Sequence, residues 1–197
     1  MPNLVNTIRV ANAAGFLGDD VHAPLRTVQA AEVDYLTLEY LAELTMSILA
    51  RLREKDPAAG YANDFLTVLK SLLPELKQQP QLKIVTNAGG VNPRACAAAA
   101  ARLLCQSGLP DCQLGVVTGD DLMPLLDEIL KVTPLNHFDT GEPLGPLRTQ
   151  LVSANAYLGA EPIAQALQQS ARLVITGRVA DASLTLGPAL ASFGWSL

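Results

Sequence analysis

The sequence predicts an α/β fold: a mostly parallel sheet of about six strands with helices on both faces, as in doubly wound, Rossmann-like proteins. Short apolar runs rich in β-branched residues alternate along the chain with segments whose apolar residues recur at helical spacing. Most of the short runs are continuously apolar, which is the pattern of strands buried on both faces. Of the 197 residues, 49% are apolar and 17% are charged, so the chain can build one substantial core.

Six short runs have the length and composition of strands. Each ends at a polar residue, and the segments between them carry the helical pattern. The predicted strands are Ile8–Asn12, Tyr35–Glu39, Leu82–Asn87, Leu114–Thr118, Gln150–Asn155 and Leu173–Thr176.

Two helices are predicted between the second and third of these strands. Apolar residues at helical spacing predict a buried face on the first helix, formed by Leu41, Leu44, Ile48 and Leu52. The second helix carries apolar residues from Phe65 to Leu76 on one side. Pro74 is expected to break or kink it, because proline removes a helical hydrogen bond.

Capping and breaking residues mark the remaining helices. Asn92 and Pro93 fit an N-cap and a first helical position before the alanine run 97–101, and Gly108 fits a stop after it. Further helices are predicted to begin near Asp121, Pro162 and Ser183. The last of them is expected to be interrupted at Gly187-Pro188.

The alternation of strand and helix predicts parallel βαβ units. An alternative is that the chain is part of a larger α/β or barrel domain, because a complete (β/α)8 barrel usually needs about 250 residues. We favour the open sheet, with residues 1–197 as a single α/β domain, since no Gly/Ser-rich linker divides the chain. The longest irregular stretch, Val132 to Arg148, has the length of a lid or binding loop.

The composition disfavours several classes of function. A net charge of −5 with scattered Arg and Lys residues argues against a nucleic-acid partner. The first twenty residues lack a basic n-region and a continuous apolar core, so a signal peptide is not expected, and no apolar stretch reaches the length of a membrane span. Three cysteines without a C-x-x-C pair and only two histidines disfavour a structural zinc site. We therefore predict a cytoplasmic protein that takes a small-molecule substrate and holds no metal.

Three asparagines occupy similar places in the chain. Asn12, Asn87 and Asn155 each lie between small residues at the end of a predicted strand. The carboxyl ends of parallel strands meet at one edge of a sheet, where ligands bind, so the three amides are candidate substrate-binding groups. Each one alone is more simply explained as a turn or capping residue. Their recurrence favours a shared polar surface.

The other predicted strand ends are polar as well. Neighbouring carboxylates there can raise one pKa and act as a general acid or base, or can hold Mg²⁺, which is the less favoured alternative. Arg178 can clamp a carboxylate or phosphate, or can pair with Asp181 or Glu39. Helix capping is the competing use of Asp121 and Asp181. The candidate catalytic residues are Asp120, Asp121, Asp181 and Arg178, and the further candidate substrate-binding residues are Gly15, Asp19, Asp20, Glu39 and Gly177.

The string NAGGVNP places two glycines in a turn before a helix. Free N–H groups and the helix dipole at such a turn can bind an anion, which makes Gly89 and Gly90 candidate substrate-binding residues. A tight βα turn explains the same glycines by steric requirements alone. The string matches neither the dinucleotide-binding nor the Walker A pattern, so neither NAD binding nor ATP hydrolysis is predicted.

Seven strings stand in order along the chain: IRVANAAGFLGDD, YLAELTMSILARLREKDPAAGYANDF, VTNAGGVNPRACAAA, GVVTGDDL, DTGEPL, VSANAYLGAEPIAQAL and VITGRVADASLTLGPAL. Together they resemble the N-terminal domain of the acyclic terpene utilisation family, from Ile8 to Trp195. The resemblance implies a role in the breakdown of citronellol- and geraniol-type terpenes, whose intermediates are carried as CoA thioesters. It makes CoA a substrate moiety and leaves the cofactor unknown. It also implies that the chain is the N-terminal part of a longer architecture.

Two principal hypotheses remain. The first is an enzyme acting on a branched acyl-CoA or related carboxylate by lyase, hydratase or hydrolase chemistry. Carboxylates would transfer protons, and Asn and backbone N–H groups would stabilise developing negative charge. The second is a non-catalytic ligand-binding or scaffolding subunit, assembling as a homo-oligomer or with a partner subunit. A metal-dependent hydrolase is a third, disfavoured by the small number of histidines.

Overall fold

The computed structural model describes residues 7–195, and within them five strands form one sheet flanked by seven α-helices. The strands are β1 (Val10–Asn12), β2 (Tyr35–Leu38), β3 (Lys83–Thr86), β4 (Leu114–Val117) and β5 (Leu173–Thr176). The helices are α1 (Ala23–Ala30), α2 (Glu43–Lys55), α3 (Asp64–Gln78), α4 (Pro93–Gln106), α5 (Leu126–Val132), α6 (Glu161–Gln168) and α7 (Ser183–Phe193). Short 3₁₀ turns lie at Met123–Leu125 and Gly145–Gln150.

The strand order is β1-β2-β3-β5-β4, and every neighbouring pair is parallel. This confirms the predicted α/β fold with a mostly parallel sheet, although the strands number five and not six. The sheet shares its parallel strands and its two covered faces with the Rossmann fold, but its strand order is different. Within residues 7–195, no helix combines the length and apolar character needed to cross a bilayer.

The segment Gln150–Asn155 is not a strand, so its prediction was wrong. Its backbone bonds instead to the loop that leaves β4: the Leu122 N–H donates to the Ala154 carbonyl at 2.8 Å. Asn155 forms a single bridge to Asp121 in the same place. Apolar composition alone does not distinguish a strand from a half-buried loop segment, and this segment is anchored by loop contacts outside the sheet.

Different helices cover the two faces of the sheet. The larger core, on one face, joins α1 to α4 to the inward side chains of Leu36, Ile84 and Ile175. The smaller core, on the other face, packs α6 and α7 against Val85 and Val174. Successive residues of each strand therefore point into different cores, and this explains why the strands are apolar without interruption.

Two prolines lie inside helices that continue past them. Pro74 was expected to break or kink its helix, but α3 does not break there and runs on to Gln78. Proline has no N–H to donate to the Lys70 carbonyl. Both residues are exposed, so water can take the place of that donor. The interruption expected at Gly187-Pro188 is also wrong, since α7 continues through it. A Cβ at Gly187 would overlap Ile163, so this glycine allows α6 and α7 to cross closely.

The buried face of α2 is not the predicted one. Leu41 is buried before the helix begins, but Leu44, Ile48 and Leu52 are 73%, 45% and 42% exposed. The residues that face the core are Thr45, Met46, Leu49 and Ala50. The helix has apolar side chains on two sides, and spacing alone does not reveal which side meets the sheet. The short helix α1 was not predicted.

The chain changes faces between two neighbouring strands. The connection after β3 runs through α4 on the face of the larger core, whereas β5 leads into α7 on the opposite face. β3 and β5 are adjacent in the sheet. Where connections diverge in this way, a crevice forms outside the carboxyl ends of the two strands.

Candidate functional site

The carboxyl ends of β3 and β5 are buried and polar. Thr86, Asn87 and Thr176 have no exposed surface, and Arg178 is 4% exposed. The chain at Gly89 passes so close to β5 that a Cβ there would overlap the carbonyl of Thr176. Polar groups in so little solvent must find partners within the protein. The two threonine hydroxyls donate to backbone carbonyls, and two of the candidate carboxylates accept from Asn87 and from the Arg178 N–H.

Asn87 joins the end of β3 to the end of β2. Its Oδ1 accepts a hydrogen bond of 2.8 Å from the Tyr40 N–H, and its Nδ2 donates to the carboxylate of Glu39. Glu39 also accepts from the Leu41 N–H at 3.1 Å. Burial raises the pKa of Glu39, and the hydrogen bonds from Asn87 and Leu41 oppose part of that rise.

A second asparagine holds a second carboxylate, which is 3% exposed. Oδ2 of Asp120 accepts from Nδ2 of Asn155 at 2.9 Å and from the Arg178 N–H at 2.8 Å. Burial raises the pKa of Asp120, against the effect of those two hydrogen bonds. Gly177 makes this arrangement possible, because a Cβ there would lie 2.5 Å from both carboxylate oxygens.

Arg178 is bonded to the second of these carboxylates. Its backbone binds Asp120, and its positive charge acts on Glu39. Nη1 of its buried guanidinium donates to the Leu41 carbonyl at 2.7 Å. Its acidic partners, Glu43 and Asp181, are each 3.5 Å away with largely exposed side chains. Among the described residues its Nε has no hydrogen-bond partner.

Tyr157 completes this cluster and was not among the predicted residues. Its ring centroid lies 4.3 Å from the guanidinium carbon of Arg178, which is a cation–π contact. Its hydroxyl donates to the carboxylate of Glu43, and this hydrogen bond lowers the pKa of Glu43. The only signal in the sequence is its position two residues after Asn155.

A comparison with known families decides what the chain is related to. The model of the family described as "Acyclic terpene utilisation family protein AtuA" matches residues 8–197. The chain belongs to the AtuA family. The resemblance seen in the seven strings is thereby confirmed. Searches of curated proteins and of solved structures gave no match.

In this AtuA-family chain, four predicted residues hold their own loop after β1: Asn12, Gly15, Asp19 and Asp20. Oδ2 of Asp19 accepts from the Gly15 N–H at 2.8 Å, and Oδ1 of Asn12 accepts from the Ala14 N–H at 3.3 Å. The Arg26 guanidinium, 2.5 Å from Asp20, lowers the pKa of that carboxyl. In the described part of the chain, no hydrogen bond joins this loop to Asp120 or Asn87.

Other predicted residues have mainly structural contacts. Oδ1 of Asp121 accepts from the Met123 N–H at 3.0 Å, which is a contact within a turn. The helix-capping role expected of Asp121 is wrong, because within residues 7–195 neither the 3₁₀ turn at Met123–Leu125 nor α5 has a side-chain cap. Asp181 makes no capping bond to α7 and faces Arg178 instead. Gly90 has a φ of +53° and a Cβ there would lie 2.5 Å from Leu49 Cδ1, so sterics account for this glycine.

A groove borders Asp120 on the same edge of the sheet. Two hollows of ≈ 160 and ≈ 300 Å³ both contact Arg53, Val91 and Asp121, and the smaller one also contacts Asp120 and Arg94. The N-terminus of α4 opens into the smaller hollow, where Asn92 caps the helix as predicted. Across residues 7–195, no three His, Cys, Asp or Glu side chains are grouped as metal ligands.

Proposed function

We propose that this chain binds a branched acyl-CoA, or a related carboxylate, formed in acyclic terpene utilisation and acts on it by lyase, hydratase or hydrolase chemistry. One observation carries the proposal: the partly buried carboxylate of Glu39 and the buried carboxylate of Asp120 are each held by an asparagine amide, and Asp120 also accepts from the Arg178 N–H. Burial raises the pKa of both carboxyls, which brings them nearer to the range in which a side chain transfers protons at neutral pH.

Asp120 is the residue to which we assign proton transfer. Its Oδ2 is occupied by Asn155 and by the Arg178 N–H, whereas Oδ1 receives no hydrogen bond from another described residue. Asp120 also borders the smaller hollow, while Glu39 borders neither. A substrate in the groove would therefore meet the free oxygen of a carboxyl that is already fixed in position.

Positive charge in the groove supports an anionic substrate. Arg53 and Arg94 line the smaller hollow, beside the positive end of the α4 dipole. Arg53 is partly engaged, since it donates to the Val91 carbonyl at 2.5 Å and lies 3.7 Å from Asp121. We assign Arg94, on the exposed surface of the first turn of α4, to the phosphates of the CoA moiety.

The alternative is a non-catalytic ligand-binding or scaffolding subunit. Exposed apolar side chains in the segment from Leu125 to Leu147 support it, because Val132 and Phe138 are 88% and 101% exposed and Leu125 and Leu147 are half exposed. Where exposed apolar side chains are contiguous, they commonly mark a surface that meets another protein. Such a subunit would bind the ligand or the partner without turning anything over.

The decisive experiment measures binding and turnover in the same samples. Thermal unfolding is followed with CoA, acetyl-CoA, citronellyl-CoA, geranyl-CoA and the free acids, and product formation is followed by mass spectrometry. We expect the branched acyl-CoA compounds to raise the melting temperature, and Asp120→Asn to keep that shift while losing turnover. Asp121→Asn is the matched control, since asparagine caps a turn equally well. Binding without turnover by the wild type selects the ligand-binding subunit, and no shift with any compound overturns both the enzyme and the ligand-binding subunit.

A further inference from the structure

β4 forms one edge of the sheet, and its outer side is open. The Leu173 N–H donates to the Gln113 carbonyl at 3.2 Å, and the Gly177 N–H donates to the Val117 carbonyl at 3.4 Å. With the parallel register, Gly115 and Val117 therefore direct their backbone groups to β5. The alternate residues Leu114 and Val116 direct theirs away from the sheet, where no described residue receives them.

Apart from its length of four residues, this edge lacks the features that keep the sheet edges of monomers unpaired. Such edges usually carry charges, prolines or bulges, or are very short. The segment Gln113 to Gly119 contains no charged residue and no proline. The opposite edge is protected: β1 has three residues and is preceded by Arg9, which is paired with Glu32 at 2.9 Å.

A groove of ≈ 530 Å³ runs beside β4 on the α6 face of the sheet. Gly115 opens it, because a Cβ there would lie 2.8 Å from the Cβ of Ala166 on α6. All the described residues that line the groove are uncharged, and Gln165 and Gln169 present amides that both donate and accept hydrogen bonds.

An uncharged surface of this kind suits contact with a copy of itself. A residue on a two-fold axis meets the same residue of the other subunit, so a charged side chain there would be repelled by the identical charge of its symmetry mate. Amides and backbone groups have no such conflict, because each can be donor in one direction and acceptor in the other. The chemistry of the β4 edge thus selects a second copy of this chain over a charged partner.

We propose that β4 pairs with β4 of a second copy, antiparallel, about a two-fold axis at Val116. Val116 would exchange both backbone hydrogen bonds with Val116 of the second copy, and Leu114 would exchange its two with Thr118 of that copy. The result is one continuous sheet of ten strands. The interface lies at the side of the strands and the candidate site at their carboxyl ends, so this pairing is independent of the proposed reaction.

Molar mass by light scattering tests the pairing from micromolar to millimolar concentration. We expect the wild type to reach twice the 20.8 kDa of one chain. Val116→Lys places a charge on the axis, and Val116→Pro removes only an outward N–H, so both are expected to stay monomeric with the fold retained by circular dichroism. Val132→Lys, at a more exposed valine away from β4, is the matched control and is expected to stay dimeric.

Hydrogen exchange identifies the surface. The amides of Leu114 and Val116 are expected to exchange slowly in the wild-type dimer and fast in Val116→Lys, while the Val117 amide, bonded to β5, stays protected in both. A wild type that is monomeric throughout, a dimer that survives both Val116 variants, or a dimer lost in Val132→Lys overturns the proposal.

Discussion

The backbone N–H of Arg178 donates a 2.8 Å hydrogen bond to the carboxylate of Asp120, which joins the loop after β4 to the end of β5. The carboxylate of Asp120 can approach this N–H because residue 177 is a glycine. A Cβ at Gly177 would lie 2.5 Å from both carboxylate oxygens of Asp120. One glycine thus fixes the position of the carboxyl to which we assign proton transfer.

Gly177→Ala is expected to destabilise the fold by about 1–3 kcal/mol, the usual cost of overpacking a buried position. The added methyl group must displace Asp120, whose backbone and side chain are both held by neighbours. Urea unfolding measures the change. Gly145→Ala is the control, since a Cβ there meets no atom within 4 Å. Equal stabilities for the two variants would contradict the close contact between Gly177 and Asp120.

Glu39→Gln is expected to stabilise the protein most at neutral pH. Folding raises the pKa of Glu39 from its ordinary 4.5, so the ionised carboxylate destabilises the folded state above that pKa. As the pH falls through the raised pKa towards 4.5, the wild type takes up a proton and regains this stability. Because glutamine does not titrate, the advantage of the variant should shrink over the same pH range.

Urea unfolding of wild type and variant, between neutral pH and pH 4.5, measures that difference. Glu32→Gln serves as the control, because the Glu32 side chain is 85% exposed and its ion pair with Arg9 is on the surface. We expect its difference from the wild type to change little over this range. A difference for Glu39→Gln that is flat with pH would rule out the buried, raised pKa.

Replacing Tyr157 is expected to separate the role of its ring from that of its hydroxyl. Tyr157→Leu removes the aromatic face over Arg178 and should cost about 0.5–1 kcal/mol, the range of an exposed cation–π contact. Tyr157→Phe keeps the ring and loses only the bond to Glu43. Unfolding free energies of the two variants give the comparison, and a leucine variant as stable as the phenylalanine variant would exclude the stacking.

The orientation of α2 predicts different costs at two adjacent residues. Leu49 is 1% exposed, so Leu49→Ala should cost about 2–5 kcal/mol through lost burial and a residual cavity. Ile48 is 45% exposed, and Ile48→Ala should change stability by less than about 1 kcal/mol. The same urea experiment applies to both. A larger loss of stability for Ile48→Ala than for Leu49→Ala would mean that the face of α2 predicted from apolar spacing is the buried one.

The features that the sequence predicted correctly are those with a local physical cause. β2, β3 and β5 were located because strands buried on both faces are continuously apolar, and the ends of α4 because Asn92, Pro93 and Gly108 act within one turn. The errors involve choices between surfaces. The segment Gln150–Asn155 and the predicted face of α2 that begins at Leu44 are both apolar. Local composition does not reveal which part of the protein, if any, packs against them.

The same limit applies to the candidate site. The rule that strand ends share one edge selected two pairs of residues that the fold joins by hydrogen bonds: Asn87 with Glu39, and Asp120 with the Arg178 N–H. It also selected the loop after β1, which forms its own hydrogen bonds. The rule did not select Tyr157. Its contact with Arg178 depends on the course of a loop, which no local sequence pattern predicts.

The sequence by itself determined the class of the fold, the positions of all five described strands to within two residues, and the AtuA family to which the chain belongs, because burial pattern and ordered motifs are properties of the chain alone. Only the tertiary structure decided that β5 inserts between β3 and β4. That insertion depends on long-range pairing energies, which neighbouring residues do not encode. It sets the end of β3 next to the end of β5 and leaves β4 as an open edge.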